Sequence, residues 1–180
     1  MSEEGLDLDL QRASAAWPRP VRVALVPPDP GWPAEARIWV DRLAPLGRVE
    51  HVGATAVPGL PAVAQLDLLL VGEVPDDDGL LEAHDLGLVG ASLWRRPTFP
   101  DDGSCPTAVE VRVLSTDDPA IGDAVRFRDL LRADPQAGRR YTDVRRGLSG
   151  EWRDLAAYRR AKAPVIAALL RAAGSGPPRS

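Results

Sequence analysis

The sequence predicts an α/β (α+β) domain, with a small mixed sheet flanked by helices and a C-terminal helical layer closing over one face. Three observations carry this expectation. Apolar segments of strand length alternate with helical patterns as far as residue 114. One of them, Gln65–Val71, is apolar almost throughout, as a strand covered on both faces requires. After Asp118 the apolar spacing turns helical and stays so. A chain of 180 residues is long enough for one sizeable core and short for two.

Taken in order, residues 1–20 alternate Leu6, Leu8 and Leu10 but end in Trp17-Pro18-Arg19-Pro20, which suggests only a loosely docked extension. Val21–Val26 reads as a strand stopped by Pro27-Pro28. Pro33–Leu46 reads as a helix with Ile38, Leu43 and Leu46 on its apolar side, ended by Gly47. Arg48–Val52 is a short strand, and Gln65–Val71 is the expected centre of the sheet. A helix over Asp77–His84, a strand over Val89–Arg95 and a Pro/Asp/Gly/Ser-rich loop over Pro97–Pro106 follow. Ala108–Leu114 then alternates, with apolar odd positions and Glu110 at an even one.

Three helices complete the domain. The first carries Val125, Phe127, Leu130 and Leu131; Pro135 opens the second, with Tyr141 and Leu148; Gly147 and Gly150 bracket the break before the third. In that last helix Leu155, Tyr158, Val165, Ile166, Leu169 and Leu170 recur at helical spacing, and Lys162 falls seven residues after Leu155 within the same stripe. The only lysine in the chain is therefore expected to point inward. Pro164 cannot donate to the carbonyl of Arg160, so a kink is expected beside it. The tail from Gly174 to Ser180 has a disordered composition, which leaves residues 21–173 as the folded domain between extension 1–20 and tail 174–180.

Composition narrows the function. A net charge of −4 argues against a dedicated nucleic-acid binder, whose footprint is normally basic. The charge is uneven, however. Residues 125–172 hold eleven Arg and one Lys against five acidic residues, a local +7 that leaves −11 for the rest of the chain, so one end could attract an anion. A single cysteine, Cys105, excludes an internal disulfide framework and a multi-cysteine zinc site, and with no histidine near it in sequence it is a poor nucleophile candidate. The acidic N-terminus and the lack of any apolar run near 18 residues suggest a cytoplasmic protein with no membrane partner.

The motifs point to a family. Glu50-His51-Val52-Gly53-Ala54-Thr55-Ala56-Val57-Pro58-Gly59-Leu60 resembles the Glu-His-Ile-Gly-Ser-Thr-Ser-Val-Pro-Gly-Leu signature of the GrpB family, which is placed in the nucleotidyltransferase superfamily. Pro28-Asp29-Pro30-Gly31-Trp32-Pro33 is similar to its Tyr-Asp-Pro-x-Trp segment. Phe127-Arg128-Asp129-Leu130-Leu131-Arg132 is similar to its Phe-Arg-Asp-Tyr-Leu-Arg stretch, and Tyr158 with Lys162 to its final Tyr-x-x-x-Lys. The resemblance runs from Val21 to Ala172 and implies a nucleotidyltransferase-like fold acting on a nucleotide or phosphorylated small molecule, with Mg²⁺ as a candidate cofactor. GrpB-like domains also occur fused to dephospho-coenzyme A kinase.

In that superfamily a Gly-Ser turn faces the nucleotide phosphates, and a following strand presents two carboxylates at alternate positions, which share a face and can hold the bridging metals. Here Gly53 and Asp67 stand at matching positions, but the serine is Ala54 and the second carboxylate is Leu69. The family's lysine in Ala-Lys-Pro is Val63, and its later His-x-His is Glu110 and Arg112. Asp67 reads as a metal ligand or as a strand-end carboxylate held by backbone amides. Glu110 reads as a second catalytic and metal-binding carboxylate or as a residue on the solvated face of an edge strand. Gly53, Thr55, Arg128 and Lys162 are the candidate phosphate- or nucleotide-binding residues, Thr55 equally able to satisfy the turn and Lys162 equally able to pair with Asp67. Arg139, Arg140, Arg145 and Arg146 read as a solvated face, and His51 as a hydrogen-bonded structural histidine. Two functions follow: a catalytically degenerate member that binds a phosphate ligand, or an active Mg²⁺-dependent nucleotidyltransferase using Asp67 and Glu110.

Overall fold

The computed structural model describes residues 21–72, 87–90, 93–96, 107–152 and 155–174. Five strands form a mixed sheet: β2 (Arg48–Val52), β3 (Gln65–Val71), β4 (Gly87–Gly90), β5 (Leu93–Arg96) and β6 (Ala108–Leu114), in the order β2-β3-β6-β5-β4. Among the described strands of this sheet only the β3/β6 pairing is parallel. β1 (Val21–Val23) pairs instead with the short β7 (Gly150–Trp152), which ties the start of the domain to its helical end. The helices are α1 (Trp32–Leu43), α2 (Pro119–Ala133), α3 (Pro135–Gly147) and α4 (Leu155–Gly174).

Alternation divides the sheet into two faces. Leu66, Leu68 and Leu70 of β3 and Val109, Val111 and Val113 of β6 are all essentially inaccessible, and they join Trp32, Ala36, Trp39 and Leu43 of α1 in the main core. On the other face Leu69, Val71 and Leu114 pack with Val52 and with Ile121 of α2. In β3 and β6 the polar positions of that second face are Gln65, Asp67, Glu110 and Arg112.

The helix ends follow local chemistry. Pro119 and Pro135 each open a helix, and Asp118 and Asp134 each cap it by accepting from backbone amides in the first turn. Asp134 serves both as the end of α2 and as the cap of α3, so a single residue sets the angle between them.

Several boundaries differ from expectation. The helix expected over Pro33–Leu46 ends at Leu43 and tightens into a 3₁₀ turn, Ala44–Leu46. The single strand expected over Val89–Arg95 is a pair, β4 and β5, which shifts the centre of the sheet from β3 to β6. β7 is a strand where none was expected, and α4 continues as one helix through Pro164. The helix expected over Asp77–His84, the loop Pro97–Pro106 with Cys105, the extension 1–20 and the last six residues lie outside the described residues.

Candidate functional site

The parallel register of β3 and β6 sets Asp67 directly beside Glu110. The loop after β2 brings Gly53, Ala54 and Thr55 to the same place; α3 contributes Tyr141 and Arg145, and α4 contributes Tyr158, Arg159 and Lys162. Together they line a cleft of about 330 Å³. Gln65, two residues before Asp67 and on its face, donates from Nε2 to Asp67 Oδ1 at 2.6 Å. The other oxygen lies against the loop: a Cβ on Gly53 would come 2.3 Å from Asp67 Oδ2. Gly53 also has φ of 74°, a conformation open to glycine and strained for other residues. This glycine is required twice, by its turn and by the carboxylate it accommodates.

The cleft concentrates charge in partly dry surroundings. Burial raises the Asp67 carboxyl above its usual range and Glu110 raises it further, against the opposing pull of Lys162, Gln65 and Arg159. Burial also lowers the Lys162 ammonium to about 8, an effect opposed by Asp67 and reinforced by Arg145 and Arg159. Lys162 lies over the Tyr158 ring, 4.5 Å from its centroid. Glu110 is 3% exposed and forms an ion pair with Arg159. It occupies the middle strand of the sheet, so the solvated-edge reading of Glu110 is corrected.

Two of the expected phosphate-binding residues have other duties. The Thr55 hydroxyl donates to the Gln65 carbonyl at 2.9 Å and meets His51 Nε2 at 3.0 Å, so its one proton is committed to the turn. Arg128 does not line the cleft: it bonds Glu50 at 2.9 Å, Asp129 at 2.8 Å and the His51 carbonyl at 3.1 Å. His51 is half-buried and hydrogen-bonded to Thr55, as expected of a structural histidine, and its imidazole is lowered to about 4 by burial and by the nearby Arg132 and Arg128.

Arg145 is the main surprise. Expected on a solvated face, it is 2% exposed, its guanidinium stacks 4.9 Å above the Tyr141 ring, and Nη1 donates to the Pro61 carbonyl at 2.8 Å. With Arg128 on the His51 carbonyl and Arg132 on the Ala56 carbonyl at 2.7 Å, it completes a row of three arginines holding the loop from the helical side. A larger open groove of about 660 Å³ lies beside this loop, but Arg132 and Arg146 along it are already bonded to Ala56 and Asp143.

Residues 22–172 match the family described as GrpB protein. The chain belongs to the GrpB family. It is 33% identical to a UPF0157 protein of Halalkalibacterium halodurans, over 94% of this chain and 92% of that one. It is 35% identical to a UPF0157 protein of Pseudomonas aeruginosa, over 83% of this chain and 66% of that one. A dephospho-CoA kinase of Mycolicibacterium paratuberculosis is 33% identical over 79% of this chain but only 44% of its own length. Among solved structures, the conserved protein GrpB from Enterococcus faecalis matches with a TM-score of 0.59 at 19% identity, over 84% of this chain and all of that one, which shows a common fold.

Against this family background the donor set of the cleft can be tested for a metal. A two-metal clamp needs several carboxylate oxygens free to converge. Here Glu110 is engaged by Arg159, one oxygen of Asp67 is engaged by Gln65, and Leu69 is a 4%-exposed packing residue. Among the described residues no three His, Cys, Asp or Glu side chains gather to hold an ion. The residues do not fit a Mg²⁺ clamp; Arg159 and Lys162 supply positive charge around the carboxylates instead. Gln65, Arg145 and Arg159 are site residues that motif reasoning passed over. Only Gln65 had a readable signal, its alternate position with Asp67 on one strand.

Proposed function

We propose that this GrpB-family chain binds a nucleotide or another phosphorylated small molecule in the cleft between the Gly53 loop and α4, and that metal-assisted nucleotidyl transfer is lost. The observation that supports this is the fate of the reactive positions. Leu69 fills the place of the second carboxylate and packs with Val52 and Ile121, while Glu110 is spent on Arg159. What remains is a cleft with Lys162, Arg145 and Arg112 among its lining residues, suited to an anion. No helix among the described residues is long and apolar enough to cross a membrane, and a cytoplasmic site of action is part of the proposal.

Calorimetry tests it, using ATP with and without Mg²⁺ and, prompted by the kinase relative, dephospho-coenzyme A. Binding is expected to be independent of Mg²⁺, lost in Lys162→Met, and retained or tightened in Asp67→Asn, which removes a repelling charge. The alternative, an active Mg²⁺-dependent nucleotidyltransferase using Asp67 and Glu110, rests on their side-by-side register. Mg²⁺-dependent binding abolished by Asp67→Asn would overturn the proposal in its favour.

A further inference from the structure

Two buried polar atoms of the cleft have no hydrogen-bond partner among the described residues: the Tyr158 hydroxyl and Arg145 Nε. Tyr158 is 3% exposed and Arg145 2%, and both line the cavity. An unpartnered buried donor is costly, and such groups call for a partner that completes them. They come from different helices, α4 and α3, that line the same cleft. Lys162, one turn after Tyr158, stands over the ring of that same tyrosine and feels the charge of Arg145. The cleft lining sets Arg112, Arg145, Arg159 and Lys162 against Asp67, Glu110 and Asp123, an excess of positive charge that a small anion would balance.

We propose that Lys162, Arg145 and Tyr158 form the subsite for the phosphate of a compact phosphomonoester, on the helical side of the cleft rather than on the Gly53 loop. This rests on the phosphate-binding reading above and sharpens it. An ammonium, a guanidinium N–H and a phenol O–H offer three donors, matching the three terminal oxygens of a monoester; a carboxylate has two. The loop is the weaker binder, because Ala54 lacks a hydroxyl and the Thr55 hydroxyl is already donated to Gln65. A triphosphate suits the space poorly: Asp67 and Glu110 share the same wall, no metal clamp offsets its charge, and about 330 Å³ lies at the small end of ligand sites. The aromatic rings of Phe127, Tyr141 and Tyr158 give the ester's organic part an apolar surface.

Tyr158→Phe is the discriminating variant, because it removes only an oxygen that has no hydrogen-bond partner among the described residues. Affinities for inorganic phosphate, phenyl phosphate, benzoate and ATP would be measured on the full chain by calorimetry, with the melting temperature of each unliganded variant. The expected result is that phenyl phosphate binds more tightly than benzoate or ATP, that Tyr158→Phe weakens it about tenfold, and that Lys162→Met weakens it at least as much. The unliganded Tyr158→Phe protein should melt at the same temperature or higher, as loss of an unsatisfied buried hydroxyl predicts. Unchanged phenyl phosphate affinity in Tyr158→Phe would overturn the subsite while leaving phosphate binding intact. Binding of ATP without phenyl phosphate would also overturn it and keep the broader reading. Failure of every phosphate probe to bind the unmodified protein would remove both.

Discussion

At the scale of single residues, Gly53 and Lys162 show how the site limits the chain. At Gly53 a methyl group would meet Asp67 Oδ2 at 2.3 Å in a backbone with φ of 74°. Gly53→Ala is expected to lower stability by about 1–3 kcal/mol, read by denaturant unfolding, because it adds strain to a left-handed backbone and displaces a carboxylate. Equal stability would mean that the Asp67 carboxylate is free to move. Lys162 carries a different cost. Its folded value of about 8 lies below the 10.5 of the unfolded chain, so between them the unfolded state holds more protons, and stability should rise with pH across that window. Lys162→Met should flatten this rise and stabilise the protein near neutral pH. His51 acts at the acid end: with a folded value of about 4 against 6.5 unfolded, stability should fall as pH drops through that interval. Both slopes can be read from melting temperatures measured across pH, and an unchanged slope in Lys162→Met would mean that the lysine is solvated.

At the scale of elements, the Phe127-Arg128-Asp129-Leu130-Leu131-Arg132 stretch has a physical meaning. Phe127 and Leu131 enter the core, while Arg128 and Arg132 reach the carbonyls of His51 and Ala56. A helix placed over a non-repetitive loop must satisfy that loop's carbonyls, and arginine can do so at a distance. Arg132→Met is expected to cost about 1 kcal/mol and to speed amide hydrogen exchange near Val57 and Leu60 more than in β3. A uniform change across the chain would show that the arginine does not hold the loop locally. This also explains what could be read from the sequence. Gln65–Val71 and Ala108–Leu114 were legible to the residue because the first is an almost unbroken apolar run and the second alternates apolar and polar residues from Val109 to Val113. β4, β5 and β7 are three or four residues long, too short to carry a period. Arg145 was misread for a related reason: nothing local distinguishes an arginine facing water from one stacked on Tyr141 and bonded to Pro61, 84 positions away in sequence.

At the scale of the whole molecule, the fold brings the basic C-terminal helices onto a sheet that presents carboxylates, and this opposition sets the limits on catalysis. The Gly53, Asp67 and Lys162 positions were legible through their motifs, but the ion pair between Arg159 and Glu110 and the packing of Leu69 were not, since both depend on partners from distant elements. They bear directly on whether transfer chemistry can be restored. Ala54→Ser and Leu69→Asp would return the two residue types that family resemblance calls for at those positions. Leu69 is 4% exposed among Val52, Val71, Leu114 and Ile121, so an aspartate there places a carboxylate in an apolar cluster, with an expected loss of several kcal/mol. Its neighbour across the strands is Arg112, which offers the new carboxylate one cation to pair with. Glu110 would still be held by Arg159. The double variant is therefore expected to be destabilised and to show no Mg²⁺-dependent nucleotidyl transfer, whereas adding Arg159→Gln removes the Arg159 ion pair from Glu110 and is expected to admit Mg²⁺ where the double variant does not. Radiolabelled nucleotide transfer to small alcohols, with Mg²⁺ affinity measured in parallel, checks this sequence of variants. Transfer by the unmodified protein would show that Arg159 leaves Glu110 when nucleotide binds and that the clamp is intact; Mg²⁺ binding that first appears in the triple variant would identify the arginine as what closes the site to metal.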